Sequence, residues 1–456
     1  MFAPLVRLAG FAMVGAVVFI ASGPSFSNIH GVAQWVTATP APTTNSTATS
    51  PSSSTGTSST GTKSTSATTA GTTTASTSLP TPVTDVTQFG AVGDGHTDSE
   101  PAVVRAVQAA QSHGGTLYFP AGHYMLYGPG IGGAIKIQSG LPLTVAGAGA
   151  DVTVLTETNP KGALLSAQVD HTVVQDLTLD TLTVNARQAL NIGANYVTVQ
   201  RCVIHGGSQI FTIYATGPST ATTTAPTYRV GNRLLNDVIT DQLTDDGISW
   251  SFQADSLLEN IDHTGSRLAL YIDKNVTVQS YTYHPGSQLS GTAGFWISAP
   301  SDNITINNFT SYGKGGVVSD NGGRMNSNIT INNERLLGTG KSLRVSGING
   351  LTISGCDFGN SNALAFEGTS ALSNVVVQNC TALPLVTFGS KGALSVMFSG
   401  DTFPALVPVI GPKTTFRNYS ANPLTFWVSG GLWQNQAGGF FSGSAATYTV
   451  SSLVGY

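Results

Sequence analysis

Charge is what this chain has least of. Asp, Glu, Lys and Arg together make up 9% of its 456 residues, against roughly 25% in ordinary soluble domains. The formal net charge of −4 offers no basic field to attract nucleic acid or anionic lipid, so neither is expected as a partner. Three cysteines cannot build a disulfide framework. Helix formers such as Lys and Glu are scarce, which argues against a helical bundle. Beyond residue 21 no run is apolar for long enough to span a bilayer. No dense acidic cluster suggests a calcium site, and neither a metal nor a cofactor is expected.

Glycine is abundant, at 53 residues, and suits stacked strands and turns. Near the N-terminus Arg7 precedes an apolar run over 8–21 and then Ser22, Gly23 and Pro24. That pattern predicts an export signal over 1–27, with an uncleaved N-terminal anchor as the alternative. Residues 28–80 are dominated by Ser and Thr and predict a disordered linker, because such a segment cannot bury enough apolar surface to offset chain entropy. The expected location is secreted or cell-surface.

From about residue 140 a short phrase recurs, with alternating apolar positions closed by Asn, Gln or Ser. Copies include Val276-Thr277-Val278-Gln279, Ile304-Thr305-Ile306-Asn307, Ile329-Thr330-Ile331-Asn332 and Leu351-Thr352-Ile353-Ser354. From Val276 to Leu394 successive copies start 28, 25, 22, 24 and 19 residues apart. A second strand falls between copies, as in Gly247-Ile248-Ser249-Trp250, Leu268-Ala269-Leu270-Tyr271 and Phe295-Trp296-Ile297. Period, β-branched content and missing helix pattern predict an all-β, right-handed parallel β-helix over 81–400, each coil covering its neighbour's apolar face. Residues 401–456 are expected to form a final coil and cap. Cys202, Cys356 and Cys380 each stand five residues after a phrase start, so they read as buried packing residues. Asn275, Asn303 and Asn328 head Asn-x-Thr triplets but also sit where the chain turns into a strand, which suits Asn in a left-handed conformation.

The segment Phe89-Gly90-Ala91-Val92-Gly93-Asp94-Gly95-His96-Thr97-Asp98, followed by Gly114-Gly115-Thr116-Leu117-Tyr118-Phe119-Pro120, resembles the opening signature of the pectate-lyase-like superfamily. Between the two lies a helix pattern over 101–111, with Ala102, Val103, Ala106, Val107 and Ala110 as its apolar stripe; it would be the short N-terminal capping helix. Ser99 stands where the family usually has a second Asp. The resemblance implies a polysaccharide as substrate or ligand and leaves the reaction open.

Asp245 and Asp246, opening a strand, resemble weakly the paired aspartates of polygalacturonases. His263 and Arg267 about one coil later would complete that likeness, although the family's Arg-x-Lys is replaced by Phe295-Trp296-Ile297. Its upstream Asn-Thr-Asp is also missing, with Asp237 and Asp241 as possible substitutes. Two carboxylates, one protonated and one ionised, are what glycosidic hydrolysis requires. Alternation places Tyr271, Asp273, Trp296 and Arg344 on the same outward file, where rings stack on sugar faces and charges bind hydroxyls or carboxylates. The expected function is therefore an exported carbohydrate-active enzyme using Asp245, Asp246, His263 and Arg267, a hydrolase ahead of a lyase. The alternative is a non-catalytic glycan-binding or structural surface protein. Oligomeric state is not legible.

Overall fold

The computed structural model describes residues 79–403 except 128–133, 158, 160–162, 182–187, 207–210, 242–245, 287–292, 339, 360–361, 369, 383–384, 389–393 and 400. Beyond 403 it describes strands within 415–455. The chain divides into two units, 1–74 and 75–456, and every described residue belongs to the second. The expected export signal and nearly all of the expected linker lie outside the described residues.

Residues 83–455 wind into a parallel β-solenoid built on a 24-stranded sheet and a 13-stranded sheet. One coil shows the plan. Ala293–Ser298 lies in the narrow sheet; Asp302–Ser311 then runs along the long sheet, bending at Asn303 and again at Asn308. The next coil repeats this with Lys314–Ser319, Asn326–Asn332 and Arg335–Leu336. Every strand pairing is parallel, and Ile304, Ile329, Leu351 and Val375 fall in register. The sequence repeat is thus the rise from one rung to the next. Val, Ile, Leu and Phe from both sheets fill the interior, with Phe295, Ile297, Ile304 and Ile306 fully buried.

Two corners recur in each coil, five residues apart, and both need a left-handed residue. Asp255, Asn275, Asn303, Asn328 and Asn374 hold the first at φ of 51–55°. Asn236, Asn260, Asn308, Asn333 and Asn379 hold the second at 52–59°. Asn and Asp tolerate this region because their short polar side chains bond locally. Here the bonds run between rungs: Asn303 Nδ2 donates to Asn275 Oδ1 at 2.9 Å, and Asn275 Nδ2 donates to Asp255 Oδ1 at 2.8 Å. The Asn-x-Thr triplets are therefore corner residues.

Buried carboxyls staple other rungs. Asp237 accepts from the backbone of Cys202 and Leu235, and Asp401 accepts likewise from Cys380 and Ser399. Burial raises Asp237 to about 7 and Asp401 to about 6. Cys202, Cys356 and Cys380 are buried free thiols.

The helix Glu100–His113 covers the first coil, burying Ala102, Val103, Ala106, Val107 and Ala110. Ser99 explains its own departure from the family pattern. Its hydroxyl donates to the Val92 carbonyl and accepts from the Val92 N–H, clamping the preceding turn. At the other end Leu424–Trp433 and Ala446–Gly455 extend the long sheet, while Thr415–Asn418 and Phe441–Gly443 extend the narrow one.

Candidate functional site

The narrow sheet turns alternate side chains outward. Ile248, Leu268, Leu270, Phe295, Leu343 and Phe366 are buried, so Arg267, Tyr271, Trp296 and Arg344 take the opposite face. Asp246 pairs with Arg267 across adjacent strands. Arg267 Nε donates to Asp246 Oδ1 at 2.6 Å, and the Tyr271 hydroxyl donates to Asp246 Oδ2 at 2.6 Å. Two donors on two oxygens is the arrangement a carboxylate anion accepts.

One rung further, the Arg267 guanidinium lies 4.1 Å from the centre of the Trp296 ring, within cation–π range. The Trp296 indole N–H in turn donates to Ser319 Oγ at 2.6 Å. Asp246, Arg267, Tyr271, Trp296 and Ser319 thus form one chain of contacts over four rungs: an anion, a cation and two flat rings. The Arg267 side chain is 15% exposed and that of Asp246 3%, so the ion pair forms the floor of the face. Arg344 occupies the same outward file two rungs beyond Trp296 and pairs with Glu367.

Two expected site residues are not brought to this face, and a third, Asp245, is not among the described residues. His263 was expected to assist the aspartates, but it is fully buried inside the solenoid. Its Nε2 lies 2.7 Å from Asp241 Oδ2 and its Nδ1 2.6 Å from the Tyr281 hydroxyl. Asp273 was expected to bind substrate, but it is 1% exposed and accepts from the Gln253 backbone N–H at 2.7 Å. Both corrections have the same cause. Asn260, at φ 54°, and Ile272, at φ 62°, are left-handed corner residues. Each interrupts the two-residue alternation and turns the following odd-numbered positions inward. Burial holds the Asp273 carboxyl well above its usual range.

Sequence reasoning missed Tyr281, and it named Asp241 only as a possible substitute for the upstream acid, not as a buried partner of His263. Asp241 binds His263 and also accepts from the Ser266 backbone N–H at 2.8 Å. The triad lies directly under the site: a Cβ on Gly247, the neighbour of Asp246, would stand 2.0 Å from Asp241 Oδ2 and 2.8 Å from His263 Nε2. Ser319 was also missed. Its signal was its place one rung above Ser298 and two above Tyr271.

A loop borders the same face. Residues 216–228 leave the rung of Ile213–Ala215, and Arg324, beyond Lys314–Ser319, donates to the Thr223 carbonyl at 2.5 Å. That contact joins segments four rungs apart in the narrow sheet, past the ends of the strands carrying Tyr271 and Trp296. Among the described residues no group of three or more His, Cys, Asp or Glu side chains is arranged to hold a metal ion.

The fold is a parallel β-helix, and comparison with known proteins relates part of it to the pectate-lyase-like family. Residues 83–288 match the family described as Rhamnogalacturonase A/epimerase, pectate lyase-like. Alginate lyase 7 of Azotobacter vinelandii is 31% identical over 196 residues, covering 39% of this chain and 22% of that protein. Mannuronan C5-epimerase AlgE3 of the same organism is 36% identical over 107 residues, 22% of this chain and 6% of that protein. The solved A-module of the Azotobacter vinelandii mannuronan C-5 epimerase AlgE6 superposes with a TM-score of 0.51 at 16% identity, covering 82% of this chain and 99% of the module. The family match covers residues 83–288, and beyond them the same parallel β-helix continues. The chain matches less than a quarter of the length of these curated relatives.

Proposed function

We propose that this chain acts on an acidic polysaccharide at the face around Asp246, Arg267, Tyr271 and Trp296, by abstracting the proton beside a uronate carboxylate. The observation that carries this reading is the double engagement of Asp246 by Arg267 and Tyr271, each at 2.6 Å. A phenol held against a carboxylate is a proton-transfer pair. A guanidinium seated over an aromatic ring is suited to a sugar carboxylate. The relatives, an alginate lyase and mannuronan C5-epimerases, support both the substrate class and the type of step.

The chemistry is common to both names. A base removes the C5 proton, and the charge left behind spreads into the carboxylate that Arg267 neutralises. Elimination then breaks the C4–O4 bond, the leaving oxygen taking up the proton that the Tyr271–Asp246 pair had received, and leaves an unsaturated uronate; delivery of a proton to C5 from the other face instead inverts it. In this reading Tyr271 and Asp246 handle the proton, Arg267 holds the carboxylate and Trp296 supports the sugar ring.

Hydrolysis needs two carboxyl groups roughly 5–9.5 Å apart. Hydrolysis with paired aspartates was the first expectation from sequence; its second carboxyl group, Asp245, lies outside the described residues, and the relatives named for lyase and epimerase activity favour proton abstraction instead. Export to the cell surface or medium belongs to the same proposal, since a polymer of this kind is met outside the cell.

The test is incubation with polyuronates in deuterated water. Wild-type protein should yield ultraviolet-absorbing unsaturated ends or deuterium at C5, and Tyr271→Phe should yield neither. New reducing ends without either signal would establish hydrolysis and refute the proposal.

A further inference from the structure

The first corner of the solenoid carries a feature that its role as a bend does not account for. At nearly every rung the left-handed residue is Asn, Asp or Gly, the types that adopt this conformation at least cost. Two consecutive rungs break the pattern with His171 at φ 64° and Tyr196 at φ 56°. Large side chains in this region are strained and persist where something else favours them. Packing into the core is not that reason, because both rings point outward and Tyr196 is 48% exposed. The two rings lie flat on one another, 4.8 Å between centres and 5° from parallel.

The next rung places Gly231 beside Tyr196, where a Cβ would come within 2.3 Å of the ring. Tyr196 therefore fills the space a side chain at 231 would take, and its orientation is set by the backbone. Around this stack opens a surface pocket of about 590 Å³ lined by His171, Tyr196, Thr198, Val230, Arg233 and Asp255. Arg233 and Asp255 are both exposed at its edge.

We propose that this corner is a second binding site for an acidic polysaccharide, separate from the face around Asp246. A pyranose ring stacks on the exposed aromatic platform, Arg233 takes a sugar carboxylate, and Asp255 accepts from hydroxyls. Successive rungs repeat at about 4.8 Å, close to the length of one sugar residue, so a chain laid along the corner meets the platform and the charged pair in turn. The class of ligand rests on the proposed function, but the site itself rests on the corner geometry.

Affinity electrophoresis through gels containing alginate, with dextran gels as the neutral control, tests it. The variant is Tyr196→Asn, which removes the ring and installs the residue most rungs use, so the fold is preserved. It is made in the wild type and in Asp246→Asn. The alginate-specific retardation of Asp246→Asn should persist, and adding Tyr196→Asn should weaken apparent affinity about fivefold to tenfold. Equal retardation with and without Tyr196→Asn would overturn the proposal. So would loss of all retardation in Asp246→Asn alone, or dextran retardation equal to that in alginate. Product formation by the wild type reads the Asp246 face independently, so either idea can fail without the other.

Discussion

Asp246 draws its two donors from a single neighbouring strand, Arg267–Tyr271, so the site depends on one strand pairing. Asp246→Asn keeps an acceptor for Tyr271 but removes the charge partner of Arg267. It should lower turnover of a polyuronate about 100-fold, measured as initial rate at saturating substrate. Beneath it, the Asp241–His263–Tyr281 triad is fully or nearly fully buried, and its partners are unequal. His263→Ala leaves the buried Asp241 carboxyl without its histidine partner, held only by its remaining hydrogen bonds, at a cost of about 3–5 kcal/mol. Tyr281→Phe removes one hydrogen bond, at a cost of about 1 kcal/mol. Thermal unfolding should therefore show a much larger loss for the histidine variant; similar losses would mean that the pair is not charge-stabilised. The pairing of Asp246 with Arg267 was legible in sequence because both precede phrase-like strands with regular alternation. His263 and Asp273 were misplaced because Asn260 and Ile272 each use up one residue in a corner. Nothing about an isoleucine announces a left-handed conformation.

At the scale of strands and corners, the repeat was readable because each rung needs the same apolar pair facing inward and the same polar residue at the bend. Ile304, Ile306 and Asn308 state that rule in five residues, and Ile329, Ile331 and Asn333 repeat it. The corner rule predicts a ranking: Asn303→Gly should be near neutral, whereas Asn303→Val should cost about 1–2 kcal/mol. Chemical denaturation of both variants checks it, and equal stability would remove the conformational argument. What the repeat did not disclose is the set of buried acids. Glu334 is fully buried, with neither carboxylate oxygen bonded among the described residues, and burial raises it to about 8 from an ordinary 4.5. Its folded form keeps a proton that the unfolded chain releases above about 4.5, so its contribution to stability falls as pH rises from there to about 8 and then levels. Glu334→Met should raise the melting temperature at pH 8 by roughly 3 °C or more, and by less at pH 5. An equal effect at both values would mean that the side chain reaches solvent.

Across the whole molecule the same sign accumulates. Burial raises Asp237, Asp273, Glu334 and Asp401 together, so these groups make the solenoid more stable near pH 5 than near pH 8. The low overall charge and the stacked Asn, Gln and Thr rows are what permit coils to pile up without repulsion between like groups on adjacent rungs. A continuous stack also presents long faces, and the narrow sheet offers one with its acid, cation and rings gathered at Asp246, Arg267, Tyr271 and Trp296. The capping signature and the period made the architecture legible, but the reaction depends on hydrogen bonds between rungs that no single segment spells out. The most direct measurement of the central claim is the fate of the C5 proton of a polyuronate treated in deuterated water. The account predicts deuterium incorporation or unsaturated ends with wild-type protein, and loss of both in Tyr271→Phe. Chain cleavage with an intact C5 proton and no unsaturation would contradict it.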